Sequence, residues 1–370
     1  MCIINDIKNL IENIKNSYDK ELYDVYLNKN QNLAAVPFDD SFEIVQKRNL
    51  LLSKQRILSE KILDELNLFD CLDVPIIGLK GVFLKNKYYG LIDRSFDDID
   101  ILVSSINAKK MYNGLRELGY HIELKTMYDN PIINMKMIPE YYMNNTQTLM
   151  MINSKKNISI DIHSNLNITN AHFINSPTKF DTKILFDNSV PFETYKNIRT
   201  LELHDNLCIL FRHLLKHHVF YGKTQMGLQT PIQHVLDLAV LINSNDFDID
   251  MLFKRVIKYN IVPEAIFCLN LYNKIFKSCK QIDIIPYLNY LNKINYKFTW
   301  KPVLMGSLDM DVEDVMIGNY EKKFPKLQHA VNFSQSMPSE FLNWLCQSFI
   351  ISFSIKYLLK YKFCRCYILI

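Results

Sequence analysis

The sequence predicts a small sheet-bearing core of the α/β or α+β kind, enclosed by helices on both sides, and three observations carry this. Apolar residues recur at helical spacing from Ile7 to Val25. Between residues 70 and 165 the spacing changes to the two-residue alternation of strands. From Leu201 onward it returns to the helical period.

The N-terminal pattern, with Ile7, Leu10, Ile11, Ile14, Tyr18, Leu22 and Val25 on one face, predicts an amphipathic helix over 5–28. A break follows around Ala34–Pro37, and a second helix is expected from Ser41 to Phe69. Val74–Leu79 is β-like, and Val82–Tyr89 reads as a helix. Asp98–Val103 is a second strand, and Asn107–Leu118 is a helix that ends near Gly119. Tyr120–Leu124, Gln147–Ile152 and Ile158–His163 complete five strands, the last two joined by the turn at 153–157. Helices are expected at Leu201–Phe220, Pro231–Ile242, Ile249–Tyr259 and Pro263–Phe276, with weaker signal over 280–335 and a last helix near Pro338.

Composition sets bounds without giving the fold. A chain of 370 residues with 48% hydrophobic and 22% charged residues is globular, as two domains or one large one. Nine glycines and twelve prolines argue against a turn-rich all-β protein. A net charge of +4 is mild for a nucleic-acid binder, and neither requires nor excludes an RNA partner. The eight cysteines form no C-x-x-C pair, which disfavours a zinc ribbon. Residues 1–28 are charged and lack the apolar core of a secretory signal, so the expected compartment is the cytoplasm, with reduced thiols. Phe341–Leu359 carries Asn343, Gln347, Ser348, Ser352, Ser354 and Lys356, so no transmembrane span is expected. The tail Lys360–Ile370 is expected to pack on the helices; acylation of Cys364 or Cys366 at a membrane is the rival.

The chemistry lies in Leu79-Lys80-Gly81, Arg94, Asp98-Ile99-Asp100 and Asp161. Residues two apart on a strand share a face, so Asp98 and Asp100 project together while Ile99 and Ile101 face the other way. Two carboxylates so placed repel unless a cation lies between them, and magnesium suits hard oxygen ligands and phosphates. Asp161 alternates with Ile160 and Ile162 on a second half-buried strand. If that strand lies beside the first, three carboxylates converge and can hold two ions. Asp161, coming from a separate strand, is the candidate to take the acceptor proton or orient the attack. Gly81, where a strand meets a helix, lets backbone N–H groups approach a triphosphate, and Lys80 and Arg94 add positive charge. Taken singly, each feature is more often structural: a strand-surface D-x-D, a Lys-Gly turn, an edge-strand aspartate.

In combination these residues resemble the uncharacterised nucleotidyltransferase family of the polymerase-β-like superfamily. The shared blocks are Leu79-Lys80-Gly81; Tyr88-Tyr89; Arg94 with Asp98-Ile99-Asp100-Ile101-Leu102-Val103; Asp161-Ile162-His163; and His213, His217 and His218 ahead of Asp237-Leu238-Ala239. The resemblance covers about residues 45–245. It implies an α+β fold: a small mixed β-sheet nucleotidyltransferase domain at 71–200, an N-terminal helical segment at 1–70 and a C-terminal helical domain at 201–370. It also implies magnesium-dependent transfer of a nucleoside monophosphate from a nucleoside triphosphate such as ATP, with release of pyrophosphate. The acceptor stays open among a small molecule, a protein and an RNA end. One departure is Lys80-Gly81, where the wider superfamily has Gly-Ser or Gly-Gly.

His213 and His217 share a helix face and are expected to line the nucleotide cleft, on a phosphate or stacked on the base. Zinc binding with His218 and His234 is a rival functional reading, and packing or surface exposure is the blander alternative to both. Asp237 is either a cap or a structural ion-pair residue, and Arg199, Arg212, Lys216 and Lys223 are either a solvated face or a contact for an anionic acceptor. The rivals to the enzyme are a non-catalytic nucleotide-binding module and a helical scaffold with surface aspartates.

Overall fold

In the computed structural model the described residues are 2–17, 42–89, 94, 96, 98–122, 148–167, 179–193, 195–220 and 232–294. The break at Ala34–Pro37, the last helix near Pro338 and the C-terminal tail lie outside them. The helices are α1 (Cys2–Ser17), α2 (Phe42–Asp70), α3 (Val82–Leu84, continuing as a π-helix over Lys85–Tyr89), α4 (Ser105–Glu117) and α5 (Thr182–Asn188). They continue with α6 (Leu203–Phe220), α7 (Ile232–Ile242), α8 (Ile249–Tyr259), α9 (Val262–Ile275) and α10 (Ile285–Lys293). The strands are β1 (Ile76–Gly78), β2 (Asp98–Val103), β3 (His121–Ile122), β4 (Thr148–Asn153), β5 (Ile158–His163), β6 (Val190–Pro191) and β7 (Ile198–Thr200).

The strands form one seven-stranded mixed sheet in the order β3-β4-β5-β2-β1-β7-β6. β2 runs parallel to β5 and antiparallel to β1, while β1 runs parallel to β7. The fold is α+β, as the sequence predicts. β6, β7 and α5 are additions that the sequence does not announce.

Alternation divides the sheet into two faces. Ile99, Ile101 and Val103 of β2 and Ile158, Ile160 and Ile162 of β5 are buried against Ile62, Leu66 and Phe69 of α2 and Ala108, Met111 and Leu115 of α4. Each such aliphatic side chain contributes about 1.5–3 kcal/mol on burial. The opposite face carries Ile77 and Leu102 into a second core, built mainly from α6 to α9. That core also takes Ile7, Leu10, Ile11 and Ile14 of α1, so the chain's first helix packs among its later ones.

Glycine is required at two positions beside the site. A Cβ at Gly78 would sit 2.2 Å from the Phe83 ring, which packs directly over the strand. Gly81 turns the chain from β1 into α3 with φ +55°, in the left-handed region that disfavours other residues.

Candidate active site

The site occupies the sheet face opposite α2 and α4. In the parallel β2–β5 pair, Asp98 is level with Ser159, Asp100 with Asp161, and Leu102 with His163. Asp98, Asp100, Asp161 and His163 therefore share one face, because each isoleucine between them turns to the apolar core. Asp100, Asp161 and His163 bring one ligand atom each within 4.8 Å of one another. Asp98, half-buried at the start of β2, shares the face but is not one of these three.

Lys80 reaches the same point from the turn after β1. Gly78 is level with Ile101, and the Leu79 N–H donates to the Asp100 carbonyl at 3.1 Å, which carries Lys80 alongside β2. Its ammonium stands 3.4 Å from Asp100 Oδ1. His163 Nε2 lies 3.0 Å from the same oxygen. Burial works to raise the Asp100 carboxyl, but the Lys80 charge and the His163 hydrogen bond outweigh it and hold the group well below the usual carboxylate range. Asp100 is thus a carboxylate at neutral pH, although it is only 7% exposed.

Ligand atoms around a divalent ion at about 2.0–2.2 Å stand at most roughly 4.4 Å apart. The Asp100, Asp161 and His163 donors are close to that spacing, and the two carboxylates supply hard oxygen ligands. The residues present therefore fit a divalent cation after small side-chain adjustments.

Arg94 is held in a buried ion pair. It is 4% exposed, and its Nε and Nη2 donate to the two oxygens of Asp237 on α7 at 2.6 and 2.7 Å. Tyr89, the last residue of the π-helix, donates its hydroxyl to the same carboxylate, and Gln233 reaches Tyr89 Oη at 3.1 Å. Asp237 is 1% exposed, which makes this a buried ion pair in bidentate geometry. Burial opposes the Arg94 charge, and Asp237 more than restores it, so the guanidinium pKa is raised. On the other side, the Phe96 N–H donates to Gln55 Oε1 of α2 at 3.2 Å. The segment leading into β2 is therefore anchored to helices on both sides of the sheet.

His213 and His234 face each other edge-on across α6 and α7, with ring centroids 4.6 Å apart. Burial, then the charges of Lys80 and Arg94, push the His234 imidazole down to about 3. A neutral ring thus stands beside the cationic side of the site. His217 belongs to α6, but its side chain lies outside the described residues. Arg199 donates to the Ser189 hydroxyl at 2.6 Å and to its carbonyl, and the buried Arg212 pairs with the buried Glu264 at 3.3 Å. Arg212 is thus paired inside the fold, and the part-buried Arg199 is tied to the end of α5.

His163 is the residue that a strand-by-strand count of carboxylates passes over. The two-residue alternation that pairs Asp98 with Asp100 also pairs Asp161 with His163, and so identifies it.

Residues 26–277 match the family described as "Uncharacterised nucleotidyltransferase", and the chain belongs to that family. No curated protein matches the chain. Among solved structures it is similar to JHP933 from Helicobacter pylori, at 14% identity over 76% of this chain and 97% of that one, with a TM-score of 0.28. At that TM-score the similarity adds nothing to the fold assignment. Among the described residues, no helix is long and apolar enough to cross a membrane.

Proposed function

We propose that the chain transfers a nucleoside monophosphate from a magnesium-bound nucleoside triphosphate to an acceptor hydroxyl, with release of pyrophosphate. The acceptor oxygen bonds to the α-phosphorus as the bond from that phosphorus to the bridging oxygen breaks, and the acceptor proton passes to a base. The observation that carries this proposal is the level register of Asp100 and Asp161 on parallel strands, inside a chain of a nucleotidyltransferase family.

Asp98, Asp100 and Asp161 are assigned as the magnesium-binding carboxylates. Magnesium held there would offset the charge of the triphosphate and acidify the attacking hydroxyl. Asp161, from the neighbouring strand, orients the acceptor or takes its proton. Lys80, beside Asp100 and part-exposed, is assigned to the phosphates, and Gly81 lets the backbone approach them closely. His213 is assigned to the cleft wall next to His234, with His217 one turn further along α6. We reassign Arg94 from the phosphates to holding the entry of β2 against α7, since two of its nitrogens already grip Asp237. The transferase unit is assigned to 71–200, and the protein to the cytoplasm.

The test is incubation with each α-labelled nucleoside triphosphate and a cell extract. Wild type labels an acceptor in the presence of magnesium, and Asp98→Asn and Asp100→Asn do not, while both keep the wild-type circular dichroism. Labelling retained in both folded variants would contradict the assignment.

A further inference from the structure

The side chain that completes the acidic cluster is an imidazole, and this carries a consequence for the kind of ion the site takes. His163 lies two residues beyond Asp161 on β5, on the same face, and its Nε2 is 3.0 Å from Asp100 Oδ1. Neighbouring ligands at right angles on an ion with bonds of about 2.1 Å are themselves about 3.0 Å apart. The Asp100–His163 pair already has that spacing, and one ligand atom each from Asp100, Asp161 and His163 lies within 4.8 Å of the other two. His163 is part-buried with its ring held at the carboxylates, so it needs no large movement to present nitrogen to a shared point.

We infer that His163 is a nitrogen ligand of this centre, beside Asp100 and Asp161, and that the centre therefore binds first-row transition ions, for which Mn²⁺ is the probe, more tightly than the magnesium of the proposed reaction. This rests on the proposed reading of the site as a divalent-ion centre. Magnesium favours oxygen ligands and holds its waters tightly, whereas first-row transition ions accept imidazole readily. The same 3.0 Å separation also serves an N–H···O hydrogen bond from Nε2 to Asp100. The two arrangements differ in which ring nitrogen carries the proton: Nδ1 when Nε2 is a ligand, Nε2 when it is a donor.

Pulsed electron paramagnetic resonance on the full chain with added Mn²⁺ separates them. Wild type is expected to show the nitrogen modulation of a directly bound imidazole, which changes frequency when the histidines are labelled with ¹⁵N. His163→Gln should lose the modulation and bind Mn²⁺ about tenfold or more weakly, with a smaller change for Mg²⁺. Mn²⁺ bound to wild type without nitrogen modulation, a result that needs no variant, would overturn the inference and leave the carboxylate centre standing. Modulation that persists in His163→Gln would overturn it as well. Mn²⁺ affinity unchanged in both Asp100→Asn and Asp161→Asn would overturn the inference together with the divalent-ion reading.

Discussion

Asp100 shows how one side chain can concentrate the electrostatics of this face. Its Oδ1 receives a lysine from the turn after β1 and an imidazole from β5, and its Cα lies level with a second aspartate. His234 is the complementary case, a ring kept neutral because burial and the nearby Lys80 and Arg94 disfavour its charge. Part of the residue reaches solvent, but these neighbours act on its ring. The folded protein holds this imidazole near pKa 3, against an ordinary 6.5, so below pH 6.5 the unfolded chain takes up a proton that the folded chain refuses. Stability from this residue is present above pH 6.5 and is lost as the pH falls from there toward 3. Urea unfolding of His234→Asn should therefore show a shallower loss of stability between pH 6.5 and 4 than wild type. Equal slopes would mean that His234 does not supply this acid sensitivity.

At the scale of elements, the strands carrying the site are legible because their alternation is clean. Ile158–His163 has the same bounds in sequence and structure, with a buried residue at every second position. β7 is not legible: three residues, one of them Arg199, give no period, and their pairing is to β1, far back in the chain. The helix expected at Val82–Tyr89 is there, but its second half has π geometry, and single-residue spacing does not reveal that choice. The Arg94–Asp237 pair joins residues 143 positions apart, so the sequence offers both charges without their pairing. Removing one member of such a buried pair strands the other. Asp237→Asn should lower stability by about 3–5 kcal/mol in chemical denaturation, and Arg94→Met with Asp237→Leu by clearly less. A loss below about 1 kcal/mol in the single variant would show that the pair does not anchor β2.

At the scale of the whole molecule, the sheet lies between two cores. One core, with α2 and α4, is apolar up to the strands and makes β2 and β5 a rigid base. The other, with α1 and the later helices, meets the opposite face at Ile77 and Leu102, and α7 sends Asp237 across to Arg94. The polar end of that face, from Asp98 to His163, is the proposed nucleotide site, and its polarity is legible in the sequence because both strands alternate in the same sense. The contact of His213 with His234 is not legible there, since the two rings meet through the packing of α6 on α7.

The most direct test is calorimetric titration of a non-hydrolysable nucleoside triphosphate into wild type and Asp161→Asn, each with and without Mg²⁺. Binding to wild type should require Mg²⁺ and be weakened by roughly tenfold or more in the variant. Equal affinity in the two proteins, independent of Mg²⁺, would contradict a nucleotide centre built on β2 and β5.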